Sequence, residues 1–95
     1  MTTAPDIKSL HGFVNGYVQG VFFRVETQHM AQQLGLRGWV RNTPDGNVEL
    51  LIHGSTASLA EMRLWLHHGP ARARVISVEL QTVEFDVPVG FEIIA

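Results

Sequence analysis

Arg24, four residues after Gly20 in a segment with no capping side chain, is the first group in this sequence whose placement suggests chemistry. The run Gly16-Tyr17-Val18-Gln19-Gly20-Val21-Phe22-Phe23-Arg24 reads as a strand that meets a glycine turn and then a helix. The first N–H groups of a helix have no partner inside it, and a serine, threonine, aspartate or asparagine usually supplies one. None stands in this run, so a bound anion is one way to satisfy those groups. Successive N–H groups of the turn and first helical turn can converge on a phosphate or carboxylate, and the helix dipole adds about half a positive charge. Arg24 would add a full one, on a planar guanidinium that can form two parallel hydrogen bonds to an oxyanion. The alternative is that Gly20 only makes a tight connection and Arg24 is a solvated helix residue, because a glycine turn before a helix has little specificity alone.

Asn42 is the second candidate. It stands beside Thr43-Pro44-Asp45-Gly46, where asparagine is expected for turn-forming reasons. Its amide also offers a donor and an acceptor that could orient a water molecule, although an uncharged side chain is not a strong general base. Other groups offer less. The chain has no cysteine, which leaves no disulfide, thiolate ligand or catalytic thiol. His67 and His68 are adjacent near a helix end, where their side chains diverge by about 100°. His11, His29 and His53 fall in separate elements, so the five histidines do not suggest a metal site. No pair of carboxylates has a spacing that argues acid–base work; Glu79, Glu84, Asp86 and Glu92 read as exposed strand faces, and Arg72-Ala73-Arg74 as a solvated loop.

Which elements position these groups follows from periodicity. Ile7 to Val18 is β-rich with imperfect alternation. From Phe22 to Leu34, residues Phe23, Thr27, Met30, Ala31 and Leu34 recur at spacings of three and four, so a helix is expected, ended by a left-handed cap at Gly35. Arg37–Asn42 and Asn47–His53 form a hairpin about the Pro44-Asp45-Gly46 turn. A second helix begins near Ser55-Thr56, with Ser58-Leu59-Ala60-Glu61 as an alternative capping box, and stops at Gly69-Pro70. Val75–Val83 alternates as a strand, and Val89–Ile94 could add a short one. The order β-α-β-β-α-β predicts an α+β domain, the ferredoxin-like split sandwich: an antiparallel sheet with both helices on one face.

Ninety-five residues with 45% hydrophobic content suit one domain, assigned to 7–95 after a loose tail at 1–6. Seven Lys+Arg against nine Asp+Glu give a net charge of −2 without a basic block, so nucleic acid and anionic membranes are not expected partners. The aromatic residues are read mostly as core, unlike those of RNA-binding sheets. The N-terminus has neither a basic region nor an apolar run, and a cytoplasmic monomer is expected.

Two ordered stretches resemble the acylphosphatase family: Gly16 to Arg24, and Gly38-Trp39-Val40-Arg41-Asn42-Thr43-Pro44-Asp45-Gly46-Asn47-Val48-Glu49. Leu34-Gly35-Leu36, Leu66-His67-His68-Gly69-Pro70, Ala73 and Val75 extend the resemblance over about residues 10–94. It implies a small metal-independent hydrolase of acyl phosphates, without a cofactor, that releases a carboxylate and inorganic phosphate. It further implies that Gln19, Gly20, Val21, Phe22, Phe23 and Arg24 bind the phosphoryl group, that Arg24 is the catalytic arginine, and that Asn42 positions the attacking water. Phe22 stands where many members have glycine or another small residue, which bears on loop shape and substrate access. A noncatalytic phosphate-binding module is the alternative on the same scaffold, and the intact Arg24 and Asn42 speak against it.

Overall fold

Alternation of apolar and polar residues along the strands builds two unlike sheet faces, and the fold follows from what covers each. A computed structural model describes residues 6–95; residues 1–5, within the expected tail, lie outside them. The elements are β1 (Ile7–Tyr17), α1 (Phe23–Gln33), β2 (Arg37–Asn42), β3 (Val48–Ser55), α2 (Thr56–His68), β4 (Arg74–Thr82) and β5 (Phe91–Ile93). They form one sheet in the order β4-β1-β3-β2-β5.

Val14, Val40, Val48, Leu50 and Ile52 from the strands join Phe23 and Ala31 of α1 and Leu59, Met62 and Leu66 of α2 in one buried core. This is the helix-covered face. The expected α1 stripe is present, with Phe23, Thr27 and Ala31 buried and Met30 and Leu34 packed beside them. Gly35 follows with φ 71°, the left-handed conformation expected of it. Its N–H bonds to the Gln32 carbonyl, and Leu36 N–H bonds to Ala31, which satisfies carbonyls of the last helical turn. At α2 the cap is Ser55, whose Oγ accepts from the Ser58 N–H at 3.1 Å. His67 and His68 stand in its last turn, where positive charge is favoured.

The opposite face differs from expectation. Aromatic residues read as core are found there: Phe13, Trp39 and Phe85 surround His11, with ring centroids 5.6, 5.9 and 5.1 Å from it. Leu51, fully buried, pairs in register with both His11 and Trp39. His11 Nε2 lies 2.7 Å from Glu49 Oε2, and Arg41 bonds the other carboxylate oxygen of Glu49 at 3.3 Å. A segment from Val83 to Gly90 spans this face, leaving β4 at one sheet edge and leading into β5 at the other. The Val83 N–H bonds to Ser9, and the Arg37 guanidinium donates to the carbonyls of Val87 and Pro88 at 3.0 and 2.8 Å.

That crossing explains the sense of the last strand, which the sequence left open. β1, β2, β3 and β4 pair antiparallel, but β5 arrives at the far edge running parallel to β2, so the sheet is mixed. An edge strand reached by a crossing connection can enter in either sense, unlike one joined by a tight hairpin. No helix is long and apolar enough to cross a membrane among the described residues.

Candidate active site

Strand directions decide which loops meet. β1 and β2 are both antiparallel to β3, which lies between them, so β1 and β2 run the same way. Their C-terminal ends therefore lie at the same end of the sheet, two interstrand spacings or about 10 Å apart. The segment after β1 carries Gln19 to Arg24, and the last residue of β2 is Asn42.

Val18 and Val21, 1% and 4% exposed, anchor the first segment in the core, so Gly20 between them and Phe22 just after are held at the surface. Gly20 has φ 75°, and a Cβ placed there would meet no atom within 4 Å; its conformation, not crowding, calls for glycine. Phe22 has φ 62° and ψ 22° and is the N-cap of α1, where it makes no side-chain capping bond. The first helical bond runs from the Glu26 N–H to the Phe22 carbonyl at 3.0 Å. Upstream, the N–H groups of Gly20 to Val25 have no hydrogen-bond partner among the described residues. These are the orphan donors of a helix start, here without the side chain that usually takes one.

Val18, Gly20, Phe22, Phe23, Arg24, Val25 and Asn42 line one cavity of about 250 Å³. Arg24 is half-buried, and among the described residues no carboxylate pairs with it. The Asn42 side chain, also half-buried, has no hydrogen-bond partner among those residues. A cationic fork, free backbone donors and a free amide thus converge on one small volume. The arrangement can bind an oxyanion with charge-assisted bonds and still hold a water molecule at its side.

The structure gathers Gly20, Phe22, Phe23, Arg24 and Asn42 about the cavity but leaves Gln19 and Val21 off its wall. Val21 is a core anchor. The Gln19 amide points instead at the β2–β3 turn, where its Nε2 donates to the carbonyls of Thr43 and Asn47, each at 2.8 Å. One side chain ties the Arg24 loop to the turn that follows Asn42. Replacing Gln19 with leucine should cost about 0.5–1.5 kcal/mol, the net worth of a hydrogen-bonded tie whose two carbonyls each keep a backbone donor, Gly46 N–H for Thr43 and Thr43 N–H for Asn47. Urea denaturation checks it; a loss below about 0.3 kcal/mol would show that these bonds do not hold the two segments together.

Sequence reasoning passed over Thr43. Its hydroxyl accepts from the Asn47 N–H at 3.1 Å and donates to the Asp45 carboxylate, and its backbone N–H bonds to the Asn47 carbonyl at 2.9 Å. A hydroxyl opening a Pro-Asp-Gly turn was the available signal. The Thr43 hydroxyl chiefly, with the Asn47 and Asp45 N–H groups adding, holds the Asp45 carboxyl below the usual carboxylate range. A lowered folded-state pKa means the contact supports the turn above the ordinary carboxylate pKa and is lost as pH falls through the lowered value.

A larger opening, of about 490 Å³, lies between α2 and the β1 and β4 strands; it contains none of these residues. Among the described residues, no group of three or more His, Cys, Asp or Glu side chains could hold a metal ion.

Comparison with known proteins follows the same residues. The family model described as Acylphosphatase matches residues 10–93. The acylphosphatase of Alkalilimnicola ehrlichii is 48% identical over 85% of this chain and 91% of its own length. That of Rubrobacter xylanophilus is 46% identical over 85% of this chain and 74% of its own. The solved structure of an acylphosphatase from Coxiella burnetii superposes with a TM-score of 0.88 at 36% identity, covering 92% of both chains.

Proposed function

The chain belongs to the acylphosphatase family, enzymes that hydrolyse acyl phosphates, and we propose that the cavity between the start of α1 and the end of β2 performs this hydrolysis. The observation that carries the reading is the unpaired Arg24 lining, with the free N–H groups of an uncapped helix start and with Asn42, one cavity of about 250 Å³. The phosphoryl oxygens of the substrate accept hydrogen bonds from the loop and helix N–H groups and from the Arg24 guanidinium. Asn42 holds a water molecule with one amide hydrogen bond, behind phosphorus and opposite the acyl oxygen.

The water oxygen bonds to phosphorus as the bond from phosphorus to the acyl oxygen breaks. The electron pair of the broken bond leaves with the carboxylate, and a proton of the water passes to a phosphoryl oxygen, giving inorganic phosphate. A carboxylate is a good leaving group, so a loose transition state needs charge stabilisation and alignment more than a strong base. Arg24 and the backbone donors supply the first and Asn42 the second. The substrate is a small molecule whose phosphoryl end the cavity receives.

Acetyl phosphate and benzoyl phosphate should be cleaved, with chelator present, and phosphate monoesters such as p-nitrophenyl phosphate should not, since their leaving groups are poorer. Phosphate binding without any turnover of the acyl phosphates would overturn the hydrolytic reading in favour of a binding module.

A further inference from the structure

Phe22 is the only non-glycine residue with positive φ among the described residues. The left-handed region crowds the Cβ of an L-residue against its own backbone, and such strain persists where something else compensates for it. Core packing is not the compensation: the Phe22 side chain is 75% exposed. Nor is it capping, for Phe22 makes no side-chain bond at the helix start. What the residue does is line the cavity that holds Arg24 and Asn42, together with the half-exposed Val25.

The cavity is small. Its roughly 250 Å³ lies under the ~300–1,000 Å³ of sites that enclose a whole organic ligand. With the phosphoryl group against Arg24, the acyl end must emerge past the rim, where Phe22 and Val25 are the exposed apolar side chains.

We propose that Phe22 is a specificity-determining residue whose ring, held in the open by its left-handed backbone, stacks on an aromatic acyl group and makes aryl acyl phosphates the favoured substrates of this enzyme. The inference rests on the placement of the phosphoryl group argued above. An aromatic ring presented without other partners gains most from a second flat apolar ring, by area and by stacking geometry. Small or charged acyl groups gain nothing from it.

The test compares wild type with Phe22→Gly and Phe22→Leu on benzoyl and acetyl phosphate, and by competition with benzylphosphonate and methylphosphonate, which bind without turnover. In Phe22→Gly the benzoyl-to-acetyl ratio of kcat/KM should fall about tenfold, chiefly through KM for benzoyl phosphate, the size a single aromatic contact sustains. The benzylphosphonate-to-methylphosphonate affinity ratio should fall with it, and Phe22→Leu should restore only part of both. Glycine accepts φ 62° without strain, so a Tm at or above that of wild type is expected and shows the variant folded. Ratios unchanged within about twofold in folded variants would overturn the inference while hydrolysis stands. A wild type that cleaves neither substrate yet prefers benzylphosphonate through Phe22 would overturn hydrolysis and support the contact.

Discussion

Arg24→Ala is expected to lower kcat/KM for any acyl phosphate at least about 100-fold, the typical worth of one group that stabilises a developing oxyanion. The residue is half-buried and free of any carboxylate partner among the described residues, so its charge is not already neutralised by the protein. Charge held in such a site costs no reorganisation when the transition state forms, which is the physical source of the effect. Phosphate affinity should fall too, since the same fork grips the ground-state phosphoryl group. Steady-state kinetics on acetyl phosphate, with inorganic phosphate as competitive inhibitor, reads both. Activity within about threefold of wild type would remove Arg24 from the mechanism. Folding should be unaffected beyond the ordinary scatter of surface changes, about ±0.5 kcal/mol, because no intramolecular ion pair is lost.

Asn42→Ala is expected to divide the two readouts. Turnover should drop by about 100-fold or more, as misplacing a reacting atom by an ångström does, while the inhibition constant of phosphate stays within about twofold. The reasoning is that Asn42 holds water and not phosphate. Its backbone is fixed independently, paired with Val48 at the end of the β2–β3 ladder and followed by the turn that Thr43 and Gln19 lock. Truncating the side chain therefore removes the amide without moving the strand. Should phosphate binding and turnover fall in step, Asn42 would be acting through the turn's shape. Gln19→Leu supplies the comparison, since it loosens the junction between loop and turn and leaves both cavity side chains in place.

Much of the positioning was legible beforehand. The three- and four-residue spacing of Phe23, Thr27, Met30, Ala31 and Leu34 gave α1 to within one residue of its observed start, and Gly35 its end. The Thr43-Pro44-Asp45-Gly46 turn gave the hairpin, because proline and glycine fix backbone conformations locally. Ser55 gave the start of α2 for the same kind of reason: one hydroxyl within reach of one N–H. These signals act over a few residues, and sequence displays them directly.

The other sheet face was not legible. Alternation states that β1 and β3 have two faces but not what lies on each, and an aromatic side chain under a crossing segment has the same pattern as one under a helix. The aromatic residues, Phe13 and Trp39 among them, were thus read as core by type, and only the path of residues 83–90 over His11 explains their surroundings. The same path turned β5 parallel to β2. The tie that the Gln19 side chain makes to the turn was hidden for a related reason: the carbonyls an amide can reach are known only once loop and turn are brought together.

Sequence by itself determined the elements, their order, and the placing of Arg24 just inside a helix start and of Asn42 at the end of a strand, because caps, turns and periodicity are local physics. Tertiary structure alone decided that these two residues share a cavity. β3 inserts between β1 and β2, makes them parallel, and brings both C-terminal ends to one end of the sheet. It also decided that Phe22 stands in the left-handed region with its ring in solvent, since backbone handedness at a junction is set by where the strand ends and where the helix must dock.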